Sequence, residues 1–413
     1  MLTTLTRLSL KQQLTIGIEL ATGKPIEVRR TLRWLIAAAF IWLALPINDA
    51  WATDIVFAGV SFTGDYDQRA ARYPYAAELA SRRLPSGQSL LDAELRKTLD
   101  SAYSGPLNLM DSGINAASGD NLALAFGITA EGIEEVKWGQ GYLYIYRVMA
   151  SVLVFDFERN LLIANYPAIV QFQDGSRQQR SSKDHLAIFE TIYSAAQPER
   201  SIMHEWVARL NTAEIKQSFP RYLGVRSVEL ADGVPEQHPD RQTPDAYATA
   251  VAQVFEALLS KQQNVAMVPY TTGQAVGQAM PLSFQDATMF QLTLPEPNFV
   301  FDLTITPFRH AEKKKGRSAQ HAFGAFFNLE FSLAATGKTY LSARFKQVNQ
   351  AVFNEKDKVN VDVWQSQQTA LRGLMNTVAQ QISTRDPAKL SKITKDNIVD
   401  ELKTTEEKIA LCR

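Results

Sequence analysis

A single cysteine, Cys412, stands among the 413 residues, so no disulfide can form within the chain and no thiolate-rich metal site is available. Histidine is scarce too: His185, His204, His238, His310 and His321 are scattered, and none pairs at metal-ligand spacing along the chain. Neither sign of charge is in excess, with 43 Lys and Arg against 43 Asp and Glu, which gives nucleic acid or an anionic membrane no electrostatic footing. Complete catalytic motifs are also missing. Thr336-Gly337-Lys338-Thr339 ends like a phosphate-binding loop, but position 332 is Ser where that motif needs Gly, and a strand follows where it needs a helix. Gly59-Val60-Ser61-Phe62-Thr63 falls one glycine short of a nucleophile elbow. His204-Glu205 opens a zinc-binding H-E-x-x-H pattern that Ala208 breaks. No catalytic residue, metal ligand or cofactor site is assigned.

What the chain does have is an export signal. Arg29, Arg30 and Arg33 form a basic region, Trp34 to Leu45 is apolar, and Ala50-Trp51-Ala52 supplies the small-x-small site of signal peptidase. The apolar run is shorter than the roughly 20 residues that span a bilayer, so cleavage between Ala52 and Thr53 is expected, leaving no membrane span after processing. The first 28 residues fit either a long basic region or translation starting near Val28, and Arg29-Arg30 matches a twin-arginine signal only in the pair itself. No cysteine directly follows the apolar run, so the lipid-attachment site of a lipoprotein is absent. The expected address is outside the inner membrane, in the periplasm. Residues 1–52 hold six basic and three acidic side chains, so the mature chain carries 37 against 40, a net charge of −3.

Downstream, hydrophobic periodicity predicts an α+β fold in two domains, each a mainly antiparallel sheet with helices on one face. The boundaries are 53–228 for the first, 229–244 for a Pro-rich linker, 245–385 for the second and 386–413 for a polar tail. In the second, Tyr247, Val251, Val254, Phe255 and Leu258 fall at helical spacing behind Thr243 or Asp245 as caps. A short strand at Val265–Tyr270 is followed by three alternating strands at Phe299–Ile305, Phe323–Leu333 and Leu341–Phe345. Each presents one dry and one wet face, the pattern of an antiparallel sheet covered on one side. Trp364, Leu371, Leu374, Met375, Val378 and Ile382 mark a helix suited to that dry face. The first half repeats the plan loosely. It has a strand at Asp54–Phe62, helices at Tyr75–Arg83 and Leu90–Ala102, strands at Leu122–Thr129, Tyr142–Phe157 and Leu161–Phe172, and a closing helix at His185–Ser194.

This order (helix, short strand, long strand, hairpin with a glycine turn, closing helix) resembles a module of bacterial envelope proteins, shared by the TolB amino-terminal region, CsgG, LpoB and FlgT. In that module an apolar strand often ends in Asp-x-x-Thr-Gly; Leu333-Ala334-Ala335-Thr336-Gly337 keeps Thr-Gly but has Ala334 for the acid, while the first half keeps Asp156 but has Asn160 for the glycine. The resemblance implies protein–protein contacts and transfers no catalytic residue.

The leading expectation is therefore a non-catalytic periplasmic adaptor or assembly factor whose partners are envelope proteins. A hydrolase with a site assembled from distant residues is the alternative, as is a small-ligand or glycan binder using Tyr142, Tyr144 and Tyr146. The candidate interaction face is the wet side of the second sheet: Asp302, Thr304, Asn328, Glu330, Ser332, Ser342, Arg344 and Lys346. A five-residue turn would set Ser332 opposite Ser342 and Glu330 opposite Arg344. Lys313-Lys314-Lys315-Gly316-Arg317 reads as a basic loop between strands. Cys412, in the polar tail, is expected to be accessible and able to link two chains as a homodimer.

Overall fold

The computed structural model describes residues 54–110, 122–138, 141–216, 218–237, 243–270, 279–354 and 361–413. The expected signal peptide and its Ala52–Thr53 cleavage site lie outside the described residues. Among those described, no helix is long and apolar enough to cross a membrane.

The architecture is α+β, built on two sheets. The first begins with β1 (Asp54–Thr63). Helices α1 (Pro74–Ser81) and α2 (Leu90–Ala102) then cross over to a parallel neighbour, β3 (Leu122–Trp138), past the short β2 (Asn108–Met110) on the outer edge of β1. From β3 the chain meanders antiparallel through β4 (Gly141–Asp156) and β5 (Leu161–Ser176). The tight β4–β5 turn places Asn160 at φ 50°, a conformation that Asn tolerates better than most residues. Helices α3 (Ser182–Ile192) and α4 (Ile202–Thr212) return over the face already covered by α1 and α2. Alternation explains that face: Leu122, Leu124, Phe126, Val148, Val152 and Val154 point into it, with Trp206 of α4 buried among them.

The second sheet follows the same order of pairing. Strand β6 (Leu223–Leu230) is parallel to β9 (Phe299–Lys315), and β9 continues antiparallel into β10 (Ser318–Leu333) and β11 (Lys338–Asn354). Helix α5 (Pro244–Gln263) makes the crossover and α6 (Val363–Thr384) closes the unit. Thr243 caps α5, its side chain accepting the Ala246 N–H at 3.2 Å. Both helices cover the dry face that the sequence predicts, over Phe301, Leu303, Ile305, Phe327, Leu329, Phe331, Leu341 and Phe345. Helix α5 also packs against β5 and so lies between the two sheets.

Five elements depart from the sequence reading: helix α4, strand β6, which joins the second sheet although residues 223–228 fall in the range expected for the first domain, and the three that follow. Val265–Tyr270 is not a strand but a passage with one bridge, Gly224 to Val268. Residues 279–293, within the stretch assigned to the second domain, form the hairpin β7 (Ala279–Phe284) and β8 (Met289–Thr293) in the first sheet. There β8 meets β5 and β7 meets β1, closing β1–β3–β4–β5–β8–β7 into a ring around Ala123, Ala125, Leu153, Phe155, Leu282, Phe284 and Leu292. Residues 386–413 are docked and do not form a loose tail. Helices α7 (Pro387–Ile393) and α8 (Val399–Ile409) insert Leu390, Ile393, Ile398, Leu402 and Ile409 into the second core. Their polar composition reflects a solvated outer face, and four or five apolar side chains at helical spacing suffice for docking.

Candidate functional site

Strands β9, β10 and β11 bring the expected interaction face together, in a register offset from the expected one. Glu330 lies opposite Ser342 on one side and Asp302 on the other; Asn328 lies between Arg344 and Thr304; Lys346 faces Phe326. The turn is one residue tighter than expected, with Gly337 at φ 67°, so Ser332 meets Thr339 instead of Ser342; beyond a bulge at Tyr340 the pairing stays two residues from the expected register. Only Asn328, Ser342 and Arg344 are exposed; Asp302, Thr304, Glu330 and Lys346 are half-buried, and Ser332 is sealed. Several are already occupied within the chain. Arg226 of β6 holds Asp302 through two N–H groups, Ser227 adds a hydroxyl at 2.7 Å, and Thr339 donates to Glu330 at 2.9 Å. Glu401 and Asp396 of the docked C-terminal segment accept the outward N–H groups of Ser342 and Arg344 at 3.4 and 3.3 Å. The proximal edge of β11 is thereby covered.

The distal halves of these strands are different. Strand β6 pairs with β9 only from Phe299 to Ile305, so Pro307–Lys315, Ser318–Gly324 and Gln347–Asn354 run on as a three-stranded arm. Gln237 closes the β9 edge at one point, pairing its side-chain amide with both backbone groups of Phe308. Beyond it the arm is held by its own aromatic stack: His310 and His321 lie 5.3 Å apart in parallel, His310 covers Phe323, and Phe353 abuts His321 edge-on. His310 Nε2 and His321 Nδ1 are 3.1 Å apart, so this pair shares a hydrogen bond across the hairpin. Among the described residues no group of three or more His, Cys, Asp or Glu could hold a metal ion. On the opposite face Val348 and Val352 are 52% and 65% exposed. Arg309, Lys313, Lys314 and Arg317 surround the tip, with Glu312 the acidic residue among them.

The other singled-out residues are structural. Tyr144 and Tyr146 are fully buried under α3; Arg180 N–H donates to the Tyr144 hydroxyl at 2.8 Å and His185 Nδ1 lies 2.9 Å from that of Tyr146. Ser61 is sealed in β1, donating to the Phe126 carbonyl. Cys412 is 1% exposed, and burial pushes its thiol up to about 12. A thiol so placed is not open to a second chain, which corrects the expected accessibility of Cys412.

A feature without a signature in the sequence lies between the first sheet and α5–α6: a cavity of about 430 Å³. The outward-bent halves of β3 and β4 line it through Gly132, Ile133, Glu134, Ile145, Arg147 and Met149; Tyr247, Val251 and Val254 of α5 and Trp364, Gln368, Leu371, Arg372 and Met375 of α6 complete it. Burial drives the Arg372 guanidinium down to about 10, helped by the like charge of Arg147, and lowers Arg147 as well. Burial also raises the Glu134 carboxyl, against the attraction of Arg147. The alternation of β4 placed Arg147 on the face opposite Tyr146, but no local pattern says that α5 and α6 will cover that face.

No protein-family model and no curated protein matches the sequence. Solved structures give faint similarity. One, described as a neuraminyllactose-binding hemagglutinin homolog from Helicobacter pylori, is 12% identical, with 47% of this chain and 95% of that one covered and a TM-score of 0.24. Another, a minor lipoprotein from Acinetobacter baumannii, is 13% identical, with 43% and 96% covered and a TM-score of 0.18. Scores this low carry no functional argument.

Proposed function

We propose that the protein is an exported, non-catalytic adaptor or assembly factor of the bacterial cell envelope, working in the periplasm after removal of residues 1–52. On this reading the β9–β11 arm takes an extended segment of an envelope protein along the distal edge of β11. The observation that carries it is the contrast along one strand. Glu401 and Asp396 accept from the proximal edge, whereas among the described residues no such acceptor meets the distal edge, which is flanked by the exposed pair Val348 and Val352. Exposed apolar edge strands are a liability that proteins normally cover, and strand addition is a common use for one. The basic tip favours a partner segment with acidic residues beside its apolar ones. The resemblance to the TolB amino-terminal, CsgG, LpoB and FlgT module belongs to the same proposal.

Two measurements test it. N-terminal sequencing of exported protein should begin at or near Thr53. A photo-crosslinker at Gln350, in intact cells, should capture one envelope protein, and Val348→Asp with Val352→Asp should abolish that adduct while leaving the protein folded. An adduct indifferent to both substitutions, or none at all, removes the arm as the docking site.

A further inference from the structure

Two half-buried arginines line the β3–β4–α5–α6 cavity, each with its Nε sealed and no acceptor among the described residues. Arg147 of β4 and Arg372 of α6 both line it, and among the described residues neither is hydrogen-bonded or ion-paired; the Nε atom of each is sealed from solvent with no partner. Gln368 adds an Nε2 donor that is likewise buried and unpartnered. The carboxylate facing this group, Glu134, is turned to Gln365, whose amide, oriented to satisfy both its atoms, donates to the two Glu134 oxygens at 2.7 and 2.9 Å. Asp362 and Tyr247 complete the titratable groups acting on the cluster.

A protein interior does not tolerate this arrangement cheaply. Buried charges are ordinarily paired, and unsatisfied buried donors are few. Here two like charges and a spare amide donor converge where Glu134 offsets only part of the charge. The cavity therefore lacks acceptors and one negative charge. Ile133, Ile145, Val251, Trp364, Leu371 and Met375 give it apolar wall, beside the polar Glu131, Tyr247 and Gln253. Room exists beside the arginines. Gly132 lies directly across the ladder from Arg147, and a Cβ placed on it meets nothing within 4 Å. Gly132 is itself exposed, so the cavity communicates with solvent there. A volume of about 430 Å³ falls in the range of small-molecule sites.

We infer that this cavity is a binding site for a small amphiphilic carboxylate, its head group held between Arg147 and Arg372 and its apolar body against Trp364 and the β3–β4 face. Planar guanidinium groups match a carboxylate in geometry as well as charge. A single negative charge suits a site where Glu134 already stands, and the apolar walls reward a hydrocarbon body that inorganic phosphate lacks. Trp364 of the site packs on Phe308 at the base of the arm, their rings 5.5 Å apart, but the test reads ligand binding in the cavity and does not involve the arm's edge.

Octanoate is the probe, measured by calorimetry and thermal shift on the exported protein, beside 1-octanol and inorganic phosphate. Octanoate should bind and raise the melting temperature, with octanol and phosphate weaker by about tenfold or more, as loss of a charge-assisted hydrogen bond implies. Arg147→Gln and Arg372→Gln should each weaken octanoate by a similar factor while leaving the unliganded protein at least as stable, because an unpaired buried charge is removed. Gly132→Leu, which leaves both arginines in place, should block binding by filling the open space and keeps the test alive if an arginine variant fails to fold. Equal binding of octanol and octanoate, tighter binding of phosphate, undiminished affinity in the arginine variants, or no octanoate binding at millimolar concentration each overturns the assignment.

Discussion

Glu131 caps a helix far from it in sequence. From β3, its two carboxylate oxygens accept the backbone N–H groups of Tyr75 and Ala76 in the first turn of α1, each at 2.9 Å. The residue that precedes α1, Tyr73, makes no side-chain cap, so Glu131 supplies the acceptors that a local Ser or Asp normally provides. Tyr193 adds a hydroxyl to the same carboxylate at 3.3 Å. Glu131→Ala should lower stability by about 1–3 kcal/mol, the cost of leaving buried donors without partners, and Glu131→Gln, which retains one acceptor, should cost less. Urea unfolding of the two variants checks the order; equal stability of Glu131→Ala and the parent refutes the cap.

Two buried carboxyls make stability depend on pH. Burial raises Glu131 to about 7 and Glu256 of α5 to about 8, the latter despite N–H donation from Tyr270 and Val225. Between the ordinary carboxyl value of 4.5 and these raised values the folded state holds protons that the unfolded state has released. Stability from this source is full below about pH 4.5, falls as pH rises toward 8 and then levels. His185 and His204, lowered by burial, act in the opposite sense around pH 6.5 and below, so the comparison must be between parent and variant. Glu256→Gln should gain on the parent as pH rises from 5 to 8, by about 1.4 kcal/mol per pKa unit at most. Thermal melts across that range give the difference, and a variant-minus-parent stability that stays flat or falls with rising pH contradicts the assignment.

The parts of the fold legible in the sequence are those where burial is one-sided. In Ala325–Phe331 every second residue lies in the core under α5 and α6 while Phe326, Asn328 and Glu330 reach solvent, so period two is printed in the residues; the α6 stripe from Leu371 to Ile382 shows the helical period for the same reason. Helix α4 was missed because Trp206, Val207 and Leu210 are interleaved with charged positions over only eleven residues. The β7–β8 hairpin was missed because its pairing with β1 and β5 is set by residues more than a hundred positions away. The arginine cavity has the same origin. Arg147 and Arg372 are separated by most of the chain, and each alone is an ordinary charged residue in an amphipathic element. The contact of His310 with His321 is legible in the sequence, since the two flank one hairpin turn and can meet across it.

Cys412 should behave as a core thiol. Its Sγ is packed beside the last turn of α8, 3.9 Å from the Lys408 carbonyl, in the cluster that contains Leu402 and Ile409. Labelling of the native protein at pH 8 should be slow, and in denaturant its rate should rise with unfolding of the C-terminal helices. Non-reducing electrophoresis of native protein should show monomer. Rapid labelling in buffer would mean that α8 detaches.

The second sheet gives the sharpest test of which face is which. Phe327 and Phe331 are fully buried, Phe331 4.6 Å from Phe301 and Phe327 5.6 Å from Phe345. Truncating either to Ala removes a large apolar side chain and leaves a cavity that the rigid ladder cannot close, so each should cost about 3–5 kcal/mol. Glu330 and Arg344, on the other face, are not directly opposite, since Glu330 pairs with Ser342 and Arg344 with Asn328. Glu330→Ala loses the Thr339 hydrogen bond at a half-exposed site, and Arg344→Ala loses a stacking contact 5.9 Å from the Phe326 ring. Each should stay within about 1 kcal/mol of the parent. Because the two are diagonal, a double-mutant cycle between them should show little coupling, whereas a Glu330–Thr339 cycle should show more. Strong Glu330–Arg344 coupling would restore the register with Glu330 facing Arg344 and remove the bulge at Tyr340.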